Sequence, residues 1–91
     1  MKHLIVMNPN SGSLGCKKCF KKKIDKAFEG LDYEIYETTG PRSVIPYLRD
    51  YLSKNNKDTV RVYACGGDGT VHEVVNGLVG HQNAELAIFP T

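Results

Sequence analysis

Residues 66–70, Gly66-Gly67-Asp68-Gly69-Thr70, form a loop whose composition suits phosphate binding. Glycine lacks a Cβ atom, so this backbone can approach a ligand closely and present successive N–H groups to its oxygens. An apolar run precedes the loop and a helical pattern follows it. The N-terminus of that helix adds partial positive charge at the same place. We therefore predict an oxyanion site here, the alternative being an ordinary tight turn between a strand and a helix.

Asp68 is the one acidic residue of this loop. A carboxylate repels phosphates unless a cation lies between them or unless it accepts a hydrogen bond from a hydroxyl group. Asp68 is therefore a candidate magnesium ligand, acting directly or through water, or a contact to a nucleotide sugar.

A second polar loop follows the first apolar run of the chain. It comprises Asn8, Pro9, Asn10, Ser11, Gly12 and Ser13. Its amide and hydroxyl groups suit oxyanions, although the same composition also makes plain turns. Since both loops follow strands, parallel strands would bring them to one edge of a sheet.

Other chemical signatures are weaker. The sequence contains no G-x-x-x-x-G-K-[ST], and residues 67–72 lack the last glycine of G-x-G-x-x-G. Cys16 and Cys19 form a C-x-x-C flanked by lysines, which would lower a thiol pKa and could serve redox chemistry. Two incidental thiols are the alternative. The three histidines are scattered and form no recognisable catalytic set.

A cluster of lysines precedes the second strand. Its members are Lys17, Lys18, Lys21, Lys22, Lys23 and Lys26. The pattern predicts either the solvated face of a helix or a peripheral contact with an anionic membrane. With 12 basic and 10 acidic residues in all, the net charge of +2 gives no reason to expect a nucleic acid partner.

The elements that position both loops alternate along the chain. Strands are predicted over residues 2–7, 33–38, 59–65 and 85–89, and helices over 16–29, 43–54 and from Thr70 to Gly80. Thr70 and Glu73 have the spacing of a capping box. The apolar stripe of the third helix comprises Val71, Val74, Val75, Leu78 and Val79. The order βαβαβαβ predicts an α/β fold, a three-layer αβα arrangement around an open parallel sheet.

Length and composition bound the rest. Ninety-one residues allow one small domain, and no apolar run approaches the roughly 20 residues that span a bilayer. The first residues lack the features of a signal peptide, and three cysteines fit a reducing compartment, so we expect a cytoplasmic protein. Because the last strand has no covering helix after it, we expect residues 1–91 to be one domain of a longer protein.

At this point the sequence resembles a known family. Residues 8–12, 66–70 and 73–77, in this order, are similar to motifs of the diacylglycerol kinase catalytic domain, a family that also includes sphingosine kinases. The resemblance covers essentially the whole chain, and its glycine motif is shared with NAD kinases. It implies the N-terminal, nucleotide-binding domain of a two-domain enzyme that transfers the γ-phosphate of ATP, with Mg²⁺, to a lipid hydroxyl.

The resemblance also implies which residues would contact the nucleotide. They are Asn8, Pro9, Asn10, Ser11, Gly12, Thr38, Gly66, Gly67, Asp68, Gly69, Thr70, Val71 and His72. The lipid contacts and the catalytic base would come from a C-terminal domain, so we expect no catalytic residue in this chain and no activity from it alone. The implied role is a transferase of phospholipid metabolism. The alternatives are an NAD-kinase-like domain, a flavodoxin-like redox module using Cys16 and Cys19, and a non-catalytic partner that keeps the fold for docking.

Overall fold

The computed structural model describes residues 1–8, 17–38, 43–66 and 68–88. In chain order the elements are β1 (Lys2–Met7), α1 (Lys17–Ala27), β2 (Tyr33–Glu37), α2 (Val44–Lys54), β3 (Val60–Cys65), α3 (Asp68–Leu78) and β4 (Ala84–Ile88). The predicted βαβαβαβ order is confirmed. No helix in these ranges is long and apolar enough to cross a bilayer.

The four strands form one parallel sheet in the order β2-β1-β3-β4. Side chains alternate along β1, so Leu4 and Val6 face α2 and α3, whereas Ile5 and Met7 face α1. All four are fully buried, as expected for a central strand covered on both faces. The predicted three-layer arrangement is therefore confirmed.

Glycines with left-handed backbone lie just after the ends of two helices. Gly30 and Gly80 have φ of +82° and +86°, and they follow α1 and α3. Such left-handed backbone carries little strain only for glycine, which explains why both helices stop there. Ser43 occupies the N-cap position of α2, although its side chain makes no capping hydrogen bond.

Two expectations about α3 are wrong. The helix begins at Asp68, so Thr70 lies in its first turn, only 6% exposed, and cannot be the N-cap of a capping box. Val75 and Val79 were expected in the buried stripe but are 41% and 66% exposed. Of the predicted stripe, Val74 alone is fully buried, and it packs in the core with residues of β1, β3 and α2.

Asn83, just before β4, contacts the end of α2 and the turn that follows it. Its Nδ2 atom lies 3.2–3.3 Å from the carbonyl oxygens of Leu52, Asn55 and Asp58. These carbonyls belong to the end of α2 and the turn after it, where helical carbonyls lack partners within the helix. A shallow hollow of about 430 Å³ lies at the same edge, lined by residues from the ends of α2 and α3.

Candidate functional site

The carboxyl ends of three strands lie side by side. The N–H of Thr38, after β2, donates to the carbonyl of Met7 at 2.9 Å. The N–H of Asn8, after β1, donates to the carbonyl of Cys65 at 3.1 Å. Gly66 follows Cys65 directly, so the structure brings Asn8, Thr38 and Gly66 to one edge of the sheet, as the sequence predicted.

At this edge the chain leaves two neighbouring strands toward opposite faces of the sheet. β1 and β3 are adjacent, but the helix after β1 packs on one face of the sheet and the helix after β3 on the other. In open parallel sheets the resulting crevice is the usual place for a ligand. Asn8 and Gly66 lie on its two sides.

Gly66 is required by close packing. A Cβ atom at this position would lie 2.7 Å from Oγ1 of Thr70 and 3.4 Å from Cβ of Asn8, and φ is +153°. Both the space and the backbone conformation therefore exclude a larger residue. The packing of these three residues fixes the start of α3 against the end of β1.

Gly69 is different, because a Cβ atom there would meet none of the described residues within 4 Å. It lies exposed in the first turn of α3, where the first four N–H groups of a helix have no partner within it. The N–H groups of Asp68, Gly69 and Thr70 are among these, and together with the positive end of the helix dipole they suit an anion. The open space over Gly69 therefore fits a phosphate group.

The other predicted residues of α3 divide by their side chains. Thr70 is buried and Val71 packs partly buried on the core, so their contribution to a ligand would come from the backbone. His72 is exposed at the second turn and could contribute its side chain. Pro9, Asn10, Ser11, Gly12 and Gly67 lie outside the described residues.

The described part of the site holds no preformed metal centre. No cluster of three or more His, Cys, Asp or Glu side chains occurs in the ranges that the structure describes. Asp68 is the first residue of α3, which puts its backbone at the edge expected for phosphates. The predicted magnesium contact of Asp68, direct or through water, stays a prediction, because the side chain of Asp68 is outside the described part of the structure.

Cys65 lies beneath this edge, and we expect its thiol to be unreactive. It is fully buried at the end of β3, and burial raises the pKa of its thiol from 9.0 to about 12. A thiol of such pKa is a poor nucleophile at neutral pH. Cys16 and the side chain of Cys19 lie outside the described residues, so the predicted redox motif stays a prediction.

Comparison with known proteins identifies the family. Residues 2–91 match the model of the diacylglycerol kinase catalytic domain. The chain belongs to this family.

The relatives that match this chain agree with the family assignment. The chain is 37% identical over 95 residues to sphingosine kinase 1 of Caenorhabditis elegans, and 30% identical over 89 residues to the diacylglycerol kinase of Bacillus subtilis. Two solved structures from Bacillus anthracis str. Sterne, both assigned as a diacylglycerol kinase, superpose with TM-scores of 0.72 and 0.68 at 30% and 32% identity.

The chain corresponds to only part of these relatives. The matches to sphingosine kinase 1 and to the Bacillus subtilis diacylglycerol kinase include 97% and 94% of this chain, but only 18% and 28% of the relatives' own length. The superpositions on the two solved structures include 98% of this chain, but only 32% and 30% of those longer chains. The family assignment favours the diacylglycerol kinase resemblance over the NAD-kinase-like and flavodoxin-like alternatives.

Gly77, in the motif over residues 73–77 that carried the resemblance, has a packing role. A Cβ atom at Gly77 would lie 2.7 Å from Cδ1 and 3.1 Å from Cβ of Leu48. Leu48 is fully buried in α2, so Gly77 lets α2 and α3 approach each other closely. This residue of the family motif thus supports the site by fixing the helix that carries it.

Sequence reasoning missed one feature of the site edge, an ion pair between Lys21 and Glu37. The sequence placed Lys21 among the solvated lysines of the first helix. Lys22, Lys23 and Lys26 are indeed exposed, but the ammonium of Lys21 contacts the carboxylate at the end of β2. The two residues are 16 positions apart, so no local pattern could have paired them.

Proposed function

We propose that residues 1–91 form a single domain that binds Mg·ATP at the carboxyl edge of β1 and β3. The observation that carries the proposal is the open space over Gly69, at the N-terminus of α3 and in the crevice between two diverging strands. The family assignment supports the same reading, since relatives of this chain are named as kinases that act on diacylglycerol and sphingosine.

In this proposal the chain positions the nucleotide. The first-turn N–H groups of α3 hold phosphate oxygens, while Asn8 and Thr38 line the neighbouring strand ends. Bound Mg²⁺, with Asp68 as its candidate protein contact, would offset the negative charge of the phosphates. The γ-phosphorus then forms a bond to a lipid hydroxyl oxygen as its bond to the β-phosphate oxygen breaks, and ADP leaves.

Transfer to lipid requires groups beyond this chain. The hydroxyl proton must pass to a base, and we expect that base, like the acceptor pocket, to lie outside this chain. The relatives are several times longer than this chain, which supports an acceptor pocket and a base outside residues 1–91. We therefore expect the 91 residues to bind nucleotide without phosphorylating lipid.

The experiment separates binding from transfer. Isothermal titration calorimetry of the 91-residue chain with Mg·ATP should show saturable binding at a single site. Radiolabelled ATP should then give labelled lipid when diacylglycerol or sphingosine is offered to the longer protein that carries these residues, and no product with the 91 residues alone. If NAD is offered as the acceptor, transfer of label from ATP to NAD would instead favour the NAD-kinase-like alternative. Labelled lipid from the 91 residues alone would contradict the proposal that they bind nucleotide without phosphorylating lipid.

A peripheral membrane contact through α1 is part of the same proposal. Lys22, Lys23 and Lys26 are exposed on this helix, and such a cluster attracts anionic lipids of a cytoplasmic membrane surface. Co-sedimentation with phosphatidylserine vesicles should fall when all three lysines are changed to Glu and when salt is raised. Undiminished binding by the charge-reversed protein would remove the membrane contact and leave the nucleotide site intact.

A further inference from the structure

The ion pair between Lys21 and Glu37 lies directly beside the candidate nucleotide site. Glu37 is the last residue of β2 and pairs in register with Met7, the last residue of β1. Thr38 and Asn8, the next residue of each strand, are at the edge of the site, about 3.3 Å further along. The contact therefore holds the ammonium of Lys21 at the margin where phosphates are expected.

This position distinguishes Lys21 from the other paired cations that the structure describes. Lys2 pairs with Asp32 at the amino edge, and Arg61 pairs with Glu85 near the beginnings of β3 and β4. Lys54 pairs with Asp50 within α2, near the end of that helix. In the described ranges, the ion pair at the carboxyl edge is the one that Lys21 makes.

Apart from Glu37, the side chains that the structure describes just beyond these strand ends and in the first turn of α3 are uncharged. They are Asn8, Thr38 and Thr70, with glycines at positions 66 and 69. A nucleotide triphosphate carries several negative charges, and phosphoryl transfer depends on offsetting them. A lysine ammonium on a flexible four-carbon stem is well suited to that purpose, because it can leave one partner for another nearby.

We propose that Lys21 binds the polyphosphate of the nucleotide and that Glu37 holds the ammonium at the edge of the site until the nucleotide arrives. The inference rests on the proposed nucleotide-binding function and names a further residue of that site. Both side chains are partly exposed, at 40% and 29%, so their mutual attraction is weakened by water and exchange for a phosphate group is easy. Glu37 is in this view a positioning residue that competes with phosphate for Lys21.

The test compares nucleotides that differ in phosphate number, using calorimetry on the 91-residue chain. Lys21→Met should lower the affinity for Mg·ATP about tenfold and the affinity for AMP less than about twofold. Lys21→Arg should restore most of the loss, since it keeps the charge. Lys54→Met is the matched control, since it removes a lysine of a comparable ion pair at the other end of the fold and should leave both affinities unchanged.

Glu37→Gln provides the second measurement. It frees Lys21, so the affinity for Mg·ATP should rise roughly two- to fivefold. In the Lys21→Met background the same change should have no effect if Glu37 acts through Lys21. Circular dichroism and thermal unfolding of each variant verify that it is folded.

The outcomes separate this inference from the proposed function. If the wild-type chain binds Mg·ATP and Lys21→Met leaves that affinity within twofold, the role of Lys21 is refuted and the nucleotide site stands. An equal gain from Glu37→Gln with and without Lys21 would also refute it, because the effect would then be general electrostatics. If the wild-type chain binds no adenine nucleotide, the proposed function fails and the inference fails with it.

Discussion

Alanine substitutions at Gly66 and Gly69 distinguish the packing of the glycine loop from its capacity to bind phosphate. The two glycines are three positions apart, yet their surroundings differ. A Cβ atom at Gly66 would lie 2.7 Å from Oγ1 and 3.1 Å from Cβ of Thr70, whereas one at Gly69 would meet nothing within 4 Å in the part of the chain that the structure describes. A site that is only a structural turn and a site that holds phosphate predict different results for the second substitution.

Gly66→Ala should destabilise the fold. Thr70 is buried in the first turn of α3 and cannot move aside without shifting that turn. Overpacking of this kind costs about 1–3 kcal/mol, and a positive φ adds about 1 kcal/mol of strain. We expect a loss of about 2–4 kcal/mol in the free energy of unfolding, which lowers Tm by roughly 8–30 °C in a domain of this size.

Gly69→Ala should leave stability intact and impair binding. Alanine is the better helix former, so the free energy of unfolding should rise by up to about 0.5 kcal/mol in the first turn. The added methyl group would occupy the space proposed for a phosphate oxygen, which should lower the affinity for Mg·ATP by roughly tenfold or more. Urea unfolding measures the first quantity and calorimetry the second.

Two results would refute this reasoning. Unchanged affinity for Mg·ATP in a folded Gly69→Ala chain would mean that the open space is not a phosphate site. A Gly66→Ala chain as stable as the wild type would mean that the contact with Thr70 does not constrain the loop.

Three further predictions concern stability. Gly77→Ala should cost about 1–2 kcal/mol by itself but become neutral or stabilising in a Leu48→Ala background, and additive effects in urea unfolding would argue against close packing of α2 on α3. Because burial raises the pKa of Cys65 from 9.0 to about 12, the unfolded state releases this proton first, and the free energy of unfolding should fall by roughly 1 kcal/mol per pH unit between pH 9 and 12. Cys65→Val should have a shallower slope there, and an unchanged slope would exclude the thiol as the cause. Asn83→Ala should cost about 1–2 kcal/mol through the lost carbonyl contacts, whereas the exposed Gln82→Ala should stay within about 0.5 kcal/mol; equal effects would contradict the proposed role of Asn83.

The strand pattern was the part of the fold most readily predicted from sequence. The bounds predicted for β1, residues 2–7, agree with the structure because an apolar run of β-formers ends at a turn-forming loop. The other strands and helices agree within two residues. Gly30 and Gly80 lie just after helices because few other residues adopt their backbone conformation.

The errors arose where local and tertiary constraints compete. Thr70 has the spacing of a capping residue, but the glycines before it allow the helix to start at Asp68 instead. Val75 and Val79 continue an apolar stripe at helical spacing, yet they face outward in these 91 residues. A period in the sequence specifies one face of a helix, but how much of that face is covered depends on the neighbouring elements.

For the candidate site, sequence predicted the meeting of two loops but not the side-chain pairs around it. Asn8 and Gly66 could be placed together because parallel strands align their carboxyl ends. The contact of Lys21 with Glu37 depends on how α1 lies on the sheet, which no local pattern encodes. Gly77 could be recognised only as part of a family motif, and its contact with Leu48 gives that motif a physical reason.

The central claim is that nucleotide binds at the carboxyl edge of β1 and β3, and backbone amide NMR during titration with Mg·ATP tests it most directly. The account predicts saturable shift changes that cluster at Asn8, Thr38, Gly66 and Gly69. The amides of Asn56 and Gln82, in the hollow at the opposite edge, should not change. No saturable change at the carboxyl edge, or changes centred on the opposite hollow, would contradict it.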